Sequence, residues 1–188
     1  QTPAIGPTRR ASAKLEQEWR GPGAVCNSGE KKWAWWTDWQ WASAPITNPD
    51  LLFVERLLTR LRNELPHDET RVVATGHSRG AAMSLILALE LPDWVGAAVS
   101  QSGFTEFGYD QRISQFQGAP MPIIMIHGIA DTDVPVGRSD SIVQLLGRAG
   151  WDHRQLLYMR LANVAHRWQP QLNDRWYSEV LDMWGSSP

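Results

Sequence analysis

The chain has 188 residues, 43% of them hydrophobic and 20% charged, which suits one globular domain with a real core and excludes disordered and fibrous classes. Its formal net charge is −2, and basic residues never cluster beyond the pairs Arg9-Arg10 and Lys31-Lys32, so no nucleic-acid partner is expected. No run approaches the roughly 18 apolar residues of a membrane span, and Gln1 to Arg10 holds no apolar signal-peptide core, so no membrane partner is expected: either the chain is soluble and unexported, or a targeting segment has been removed.

Ala11 to Trp19 reads as a helix ended by Gly21-Pro22-Gly23, and Ala24 to Cys26 as a short apolar strand. Cys26 is the lone cysteine and cannot form an internal disulfide; in its apolar setting it reads as a small core residue. Residues 27–47 read as a loop carrying Trp33, Trp35, Trp36, Trp39 and Trp41, a dense share of the 11 tryptophans. Clustered Trp marks a binding surface or a cleft rim, which makes Trp35 and Trp36 candidate substrate contacts, or else fills a core beneath a long loop.

A helix follows. Thr47 or Asn48 can cap it, Pro49 suits its first turn, and Leu51, Val54, Leu58, Leu61 and Leu65 recur at helical spacing up to Pro66, an apolar stripe expected to lie on a sheet. Strand Arg71 to Thr75 comes next, then Gly76-His77-Ser78-Arg79-Gly80, then a helix from Ala81 to Leu91 stopped by Pro92-Asp93. Further strands are expected at Val95 to Ser100, Pro122 to His127 and Gln155 to Arg160, with Thr105 to Ala119 as a long loop. A helix from Ser139 to Arg148 is closed by Gly150, and a terminal helix runs from about Gln171 to Trp184. Near-continuous apolar strands separated by helices predict an α/β class with a mostly parallel sheet covered on both faces. No repeat or linker divides the chain, so residues 1–188 are expected to form one domain.

The chemistry sits where strand passes to helix. A Gly-x-Ser-x-Gly pattern in that context is a nucleophile elbow, which lifts the serine above the sheet; its glycines are expected where a Cβ would strike neighbouring backbone. Ser78 is therefore the candidate nucleophile. A serine hydroxyl needs a histidine base, and the histidine needs a carboxylate to fix its tautomer. Asp131 follows the strand ending at His127 and His166 follows the strand ending at Arg160, both at carboxyl ends where such sheets hold ligands. Asp133 competes with Asp131, which lies closer to its strand end. His153 precedes its strand, His67 lies in a polar turn, and His127 reads as packing under the loop. His77, beside the serine, points away from the cleft by strand alternation and reads as a packing residue, though it is carried as a substrate-binding candidate. None of the five histidines has partners at metal-ligand spacing and no Gly-rich loop cradles a phosphate, so no cofactor or metal is expected.

With these residues the chain resembles the α/β-hydrolase superfamily, and within it the polyhydroxybutyrate depolymerase and feruloyl esterase group. The resemblance rests on Asp68 through Met83 around the elbow, on Ile126-His127-Gly128-Ile129-Ala130-Asp131-Thr132-Asp133-Val134-Pro135, and on Ala165-His166-Arg167-Trp168, and runs from about Asn48 to the end. Its acid motif, His-Gly-x-x-Asp-x-x-Val-Pro, singles out Asp131. The resemblance implies a triad of Ser78, Asp131 and His166, Trp168 near the cleft mouth, and a secreted or periplasmic location. It also implies strands and an oxyanion loop before the first helix that Gln1 to Arg10 does not provide, so the chain reads as N-terminally incomplete. Arg79, through its backbone N–H, is then the one oxyanion donor that can be named, where losing a donor costs about 100-fold to 1,000-fold in rate.

The leading expectation is a serine esterase acting on a small-molecule or polymer ester, feruloyl, acetyl or polyhydroxyalkanoate in type. Two alternatives stand beside it: a prolyl-oligopeptidase-like peptidase, and a weakly active Trp-rich module that binds polysaccharide or aromatic polymer. Oligomeric state is not legible.

Overall fold

The computed structural model describes residues 49–105 and 109–185. The helix and strand expected between Ala11 and Cys26, and the Trp-rich loop with Trp35 and Trp36, lie outside the described residues.

Helix α1, Pro49–Glu64, places Asp50 in its first turn and Arg62 in its last, each sign matched to the helix dipole. Of its apolar stripe, Leu51 is buried, Val54, Leu58 and Leu61 are half-buried, and Leu65 is exposed. The Arg62 guanidinium lies 4.1 Å from the Trp94 ring centroid and pairs with Glu69 at 2.8 Å.

Strand β1, Val73–His77, is followed by helix α2, Arg79–Glu90, and strand β2, Ala97–Gln101. Helix α3, Tyr109–Ser114, leads to strand β3, Ile123–Gly128; helix α4, Gly137–Arg148, leads to strand β4, Leu156–Leu161; and helix α5, Asn173–Gly185, comes last. The four strands form one parallel sheet in the order β1-β2-β3-β4. Each crossover steps to the next strand in the same direction, so right-handed connections place the intervening helices on one face. The packing agrees: α2 lies on β1 and β2, α4 on β3, and α3 on α4.

The opposite face belongs to α5. Ala97, Val99, Ile124, Ile126 and Met159 form a buried cluster with Val180, against which Trp176, Met183 and Trp184 of α5 pack. Residues one position away in the strands, such as Ala98, Ile123 and Met125, are equally buried and face the other side. Every residue of β2 and β3 is buried, so these strands have no solvent face and read as unbroken apolar runs.

Two expectations need correction. Each strand is displaced toward the carboxyl end, β1 by two residues, because its pairing continues through Gly76↔Ser100 and His77↔Gln101 into the elbow. The loop expected over Thr105 to Ala119 contains α3, anchored by the fully buried Ile113 and by Arg112 paired with Glu90 of α2. Its six residues are too few to show a helical period in the sequence. Among the described residues no helix is long and apolar enough to cross a membrane.

Ile124 is fully buried at the centre of the α5 face, whereas Leu65 is 54% exposed. Ile124→Ala should lower the unfolding free energy by about 2–5 kcal/mol, and Leu65→Ala should change it by less than about 0.5 kcal/mol. Urea denaturation followed by circular dichroism checks both.

Candidate active site

Ser78, Asp131 and His166 all lie at the carboxyl edge of the sheet, after β1, β3 and β4. Ser78 sits between β1 and α2 with φ 57° and ψ −117°, a left-handed conformation that a side chain adopts only under strain. The surroundings impose it. The Ser78 N–H donates to Gln101 O at 2.9 Å as if β1 continued, while its carbonyl accepts from Ala81 and Ala82 as if α2 had begun. A Cβ on Gly76 would lie 2.2 Å from the carbonyl carbon and oxygen of Gly80, so the first glycine of the pattern is sterically required. The second is not required by the described residues: a Cβ on Gly80 meets none of them within 4 Å, contrary to the expectation that both glycines avoid collisions.

Asp131 lies in the turn after β3 and is buried. Its Oδ1 accepts from the N–H groups of Asp133 at 3.0 Å and Val134 at 2.8 Å, an Asx-type turn that fixes the plane of the carboxylate. Its Oδ2 lies 2.8 Å from His166 Nδ1. The loop carrying His166 is pressed against this turn, with Ala130 N donating to Val164 O at 3.0 Å. A Cβ on Gly128 would lie 2.1 Å from Val164 O, so only glycine allows the acid and histidine segments this separation. Beyond the histidine, Gln169 N donates to the buried side chain of Gln101 at 3.0 Å, tying that loop to the end of β2.

A carboxylate only accepts, so His166 donates through Nδ1 and presents Nε2 as an acceptor. Burial pushes the Asp131 carboxyl up, but hydrogen bonds from the Val134 amide, His166 and the Ser102 hydroxyl outweigh it and hold the group below its ordinary value. Ser102, after β2, is itself buried and left-handed at φ 51°.

The structure thus joins Asp131 to His166 and leaves Asp133 exposed, contributing only its backbone N–H. Ser78 makes no hydrogen bond to His166 in this structure; such contacts are commonly long before substrate binds. Arg79 is the first residue of α2, at the positive end of that helix. Trp168, two residues beyond His166, is half-buried. His67 and His153 lie in exposed turns.

His77 does not point away from the site. Alternation does put it on the face opposite α2, but His166 comes across that face, and the two rings lie 4.5 Å apart at 44°. Burial first, and the neighbouring His166 second, hold His77 below its ordinary pKa, and its buried Nε2 has no hydrogen-bond partner among the described residues. Sequence reasoning also passed over Ser102 and the bonds of His127. Ser102 had no signal beyond its place after a strand, whereas His127 belonged to the motif that identified Asp131.

A family model described as phospholipase/carboxylesterase matches residues 24–171. Among solved structures, a thermostable esterase is 27% identical, with TM-score 0.50 over 61% of this chain and 28% of that one. SOBER1 of Arabidopsis thaliana is 22% identical, TM-score 0.58, over 71% of this chain and 64% of that one, and esterase PE8 is 21% identical, TM-score 0.58, over 69% and 58%. The last two likenesses concern the fold. The chain therefore spans less than two thirds of the length of each of these proteins. No curated protein matches it.

Gly76→Ala should leave little soluble folded protein, whereas Gly80→Ala should fold with a melting temperature close to that of the parent; expression and thermal unfolding of both check this. The lowered Asp131 pKa means its carboxylate contributes stability above the ordinary value of 3.8, lost as pH falls through the lower folded-state value. The stability difference between the parent and Asp131→Asn should therefore shrink as pH drops below 3.8, as urea titrations at stepped pH would show.

Proposed function

Because this chain belongs to the phospholipase/carboxylesterase family of the α/β-hydrolase superfamily, we propose that it is a serine esterase with Ser78 as nucleophile, His166 as base and Asp131 as the orienting acid. The observation that carries this reading is the 2.8 Å bond from His166 Nδ1 to Asp131 Oδ2, formed at the same sheet edge as the strained Ser78.

With Nδ1–H held by the carboxylate, Nε2 takes the Ser78 proton as Oγ attacks the ester carbonyl carbon. The resulting oxyanion meets the backbone N–H of Arg79 at the start of α2. Collapse breaks the bond to the alcohol oxygen, which leaves with the proton from His166, and an acyl group stays on Ser78. Water then attacks the acyl carbon, giving its proton to Nε2, and release of the acid returns that proton to Ser78.

The neutral His77 ring against His166 supports the same reading, since a second cation there would oppose the imidazolium that forms during catalysis. The half-buried Trp168, two residues beyond the base in the chain, suits an aromatic acyl group such as a hydroxycinnamate, and acetyl or polyhydroxyalkanoate-type esters are the other candidates of the class. A secreted or periplasmic location is part of this proposal and rests on the resemblance to that esterase group.

Mass spectrometry after a fluorophosphonate probe should find one phosphonylated residue, Ser78, and Ser78→Ala should take up none. Asp131→Asn should lose about 10,000-fold in kcat on nitrophenyl esters. A folded protein whose Ser78 stays unlabelled would overturn the assignment, and faster turnover of amides than of matched esters would make it a peptidase.

A further inference from the structure

We infer that His127 is a positioning residue for the acid, clamping Asp131 from the core side while His166 engages it from the cleft side; this rests on the triad proposed above. His127 is the penultimate residue of β3 and only 1% exposed, in a strand whose other side chains are almost all aliphatic. Burying an imidazole is costly unless its nitrogens are bonded, and both are. Its Nδ1 lies 2.6 Å from Ser139 Oγ of α4, whose single hydrogen points to Nδ1 when Nε2 carries the imidazole proton, Gly103 O at 3.2 Å being the longer, alternative acceptor. Its Nε2 lies 2.8 Å from Val134 O and 3.3 Å from Asp131 Oδ2.

The proton on Nε2 is assigned by its partners. A carbonyl oxygen and a carboxylate oxygen both only accept, so Nε2 carries a hydrogen, directed between Val134 O and Asp131 Oδ2. That carboxylate oxygen is the one that accepts from His166 Nδ1. The contacts close a ring: His127 Nε2–H to Val134 O, Val134 N–H to Asp131 Oδ1, and Asp131 Oδ2 back to His127. Both carboxylate oxygens are then restrained against rotation, and the bond to Ser139 fixes the imidazole plane from a separate helix. An aliphatic side chain would fill the same space but leave Val134 O and Oδ2 without this donor.

Three variants separate clamping from filling. Glutamine can place a donor nitrogen near the Nε2 position and an acceptor oxygen toward Ser139; leucine offers similar bulk and neither. His127→Leu should lower kcat for nitrophenyl ester hydrolysis by about 10-fold or more, the scale of a lost hydrogen bond to a charged group, with KM within about twofold. His127→Gln should recover most of that loss. A folded His127→Leu with kcat within about twofold of the parent, or a folded His127→Gln no better than it, would overturn the inference. Should His127→Leu fail to fold, Ser139→Ala decides: it should lower kcat several-fold at unchanged KM, and unchanged kcat would overturn the proposal. Fluorophosphonate labelling run alongside distinguishes the two failures. An unlabelled Ser78 in the parent removes the triad itself, whereas a labelled parent matched in rate by every variant removes only the role of His127.

Discussion

A buried negative charge organises the carboxyl edge of this sheet. The Asp131 carboxylate has left water and must be met by donors or become protonated. The donors come from separate segments: Ser102 after β2, His127 within β3, the amides of Asp133 and Val134, and His166 after β4. Three neighbouring strands must therefore end in register for one side chain to be satisfied. Sheet order and charge satisfaction are coupled here, so a slip of β4 against β3 would break ladder bonds and strip the charge of a partner as well.

Around that charge the backbone is packed closer than side chains permit. Gly76 lets β1 turn back under α2, Gly103 fits against Ser100 and Ala81, and Gly128 lets the acid turn touch Val164. These close approaches make Ser78 and Ser102 left-handed without glycine, strain that the surrounding bonds maintain. Gly80 differs, because none of the described residues comes within 4 Å of where its Cβ would stand.

Much of this was legible in the chain, for definable reasons. The unbroken apolar runs of β2 and β3 identify buried parallel strands because both faces are covered. Ser78, Asp131 and His166 could be picked out because each follows a strand, and a strand's end is a local signal. The ring contact of His77 with His166 was not legible, since it depends on which sheet face the β4 loop crosses, a fact about tertiary path. His127 was misjudged in part for the opposite reason: burial was read correctly, but its bonds to Ser139 and Val134 depend on how α4 docks. Strand ends fell short because pairing continues into glycine and polar residues such as Gly76 and His77, which carry no apolar signal.

The contact between Gly128 and Val164 joins the acid turn to the histidine loop within one contiguous β3-α4-β4 stretch, whereas Ser78 arrives from two strands away. Acid and base thus meet across 35 residues of chain, a shorter loop than the one that brings Ser78 to either of them. Any change that parts β2 from β3 would therefore displace Ser78 and the Ser102 donor together, because both lie on the β1-β2 side of that seam while Asp131 and His166 lie on the other.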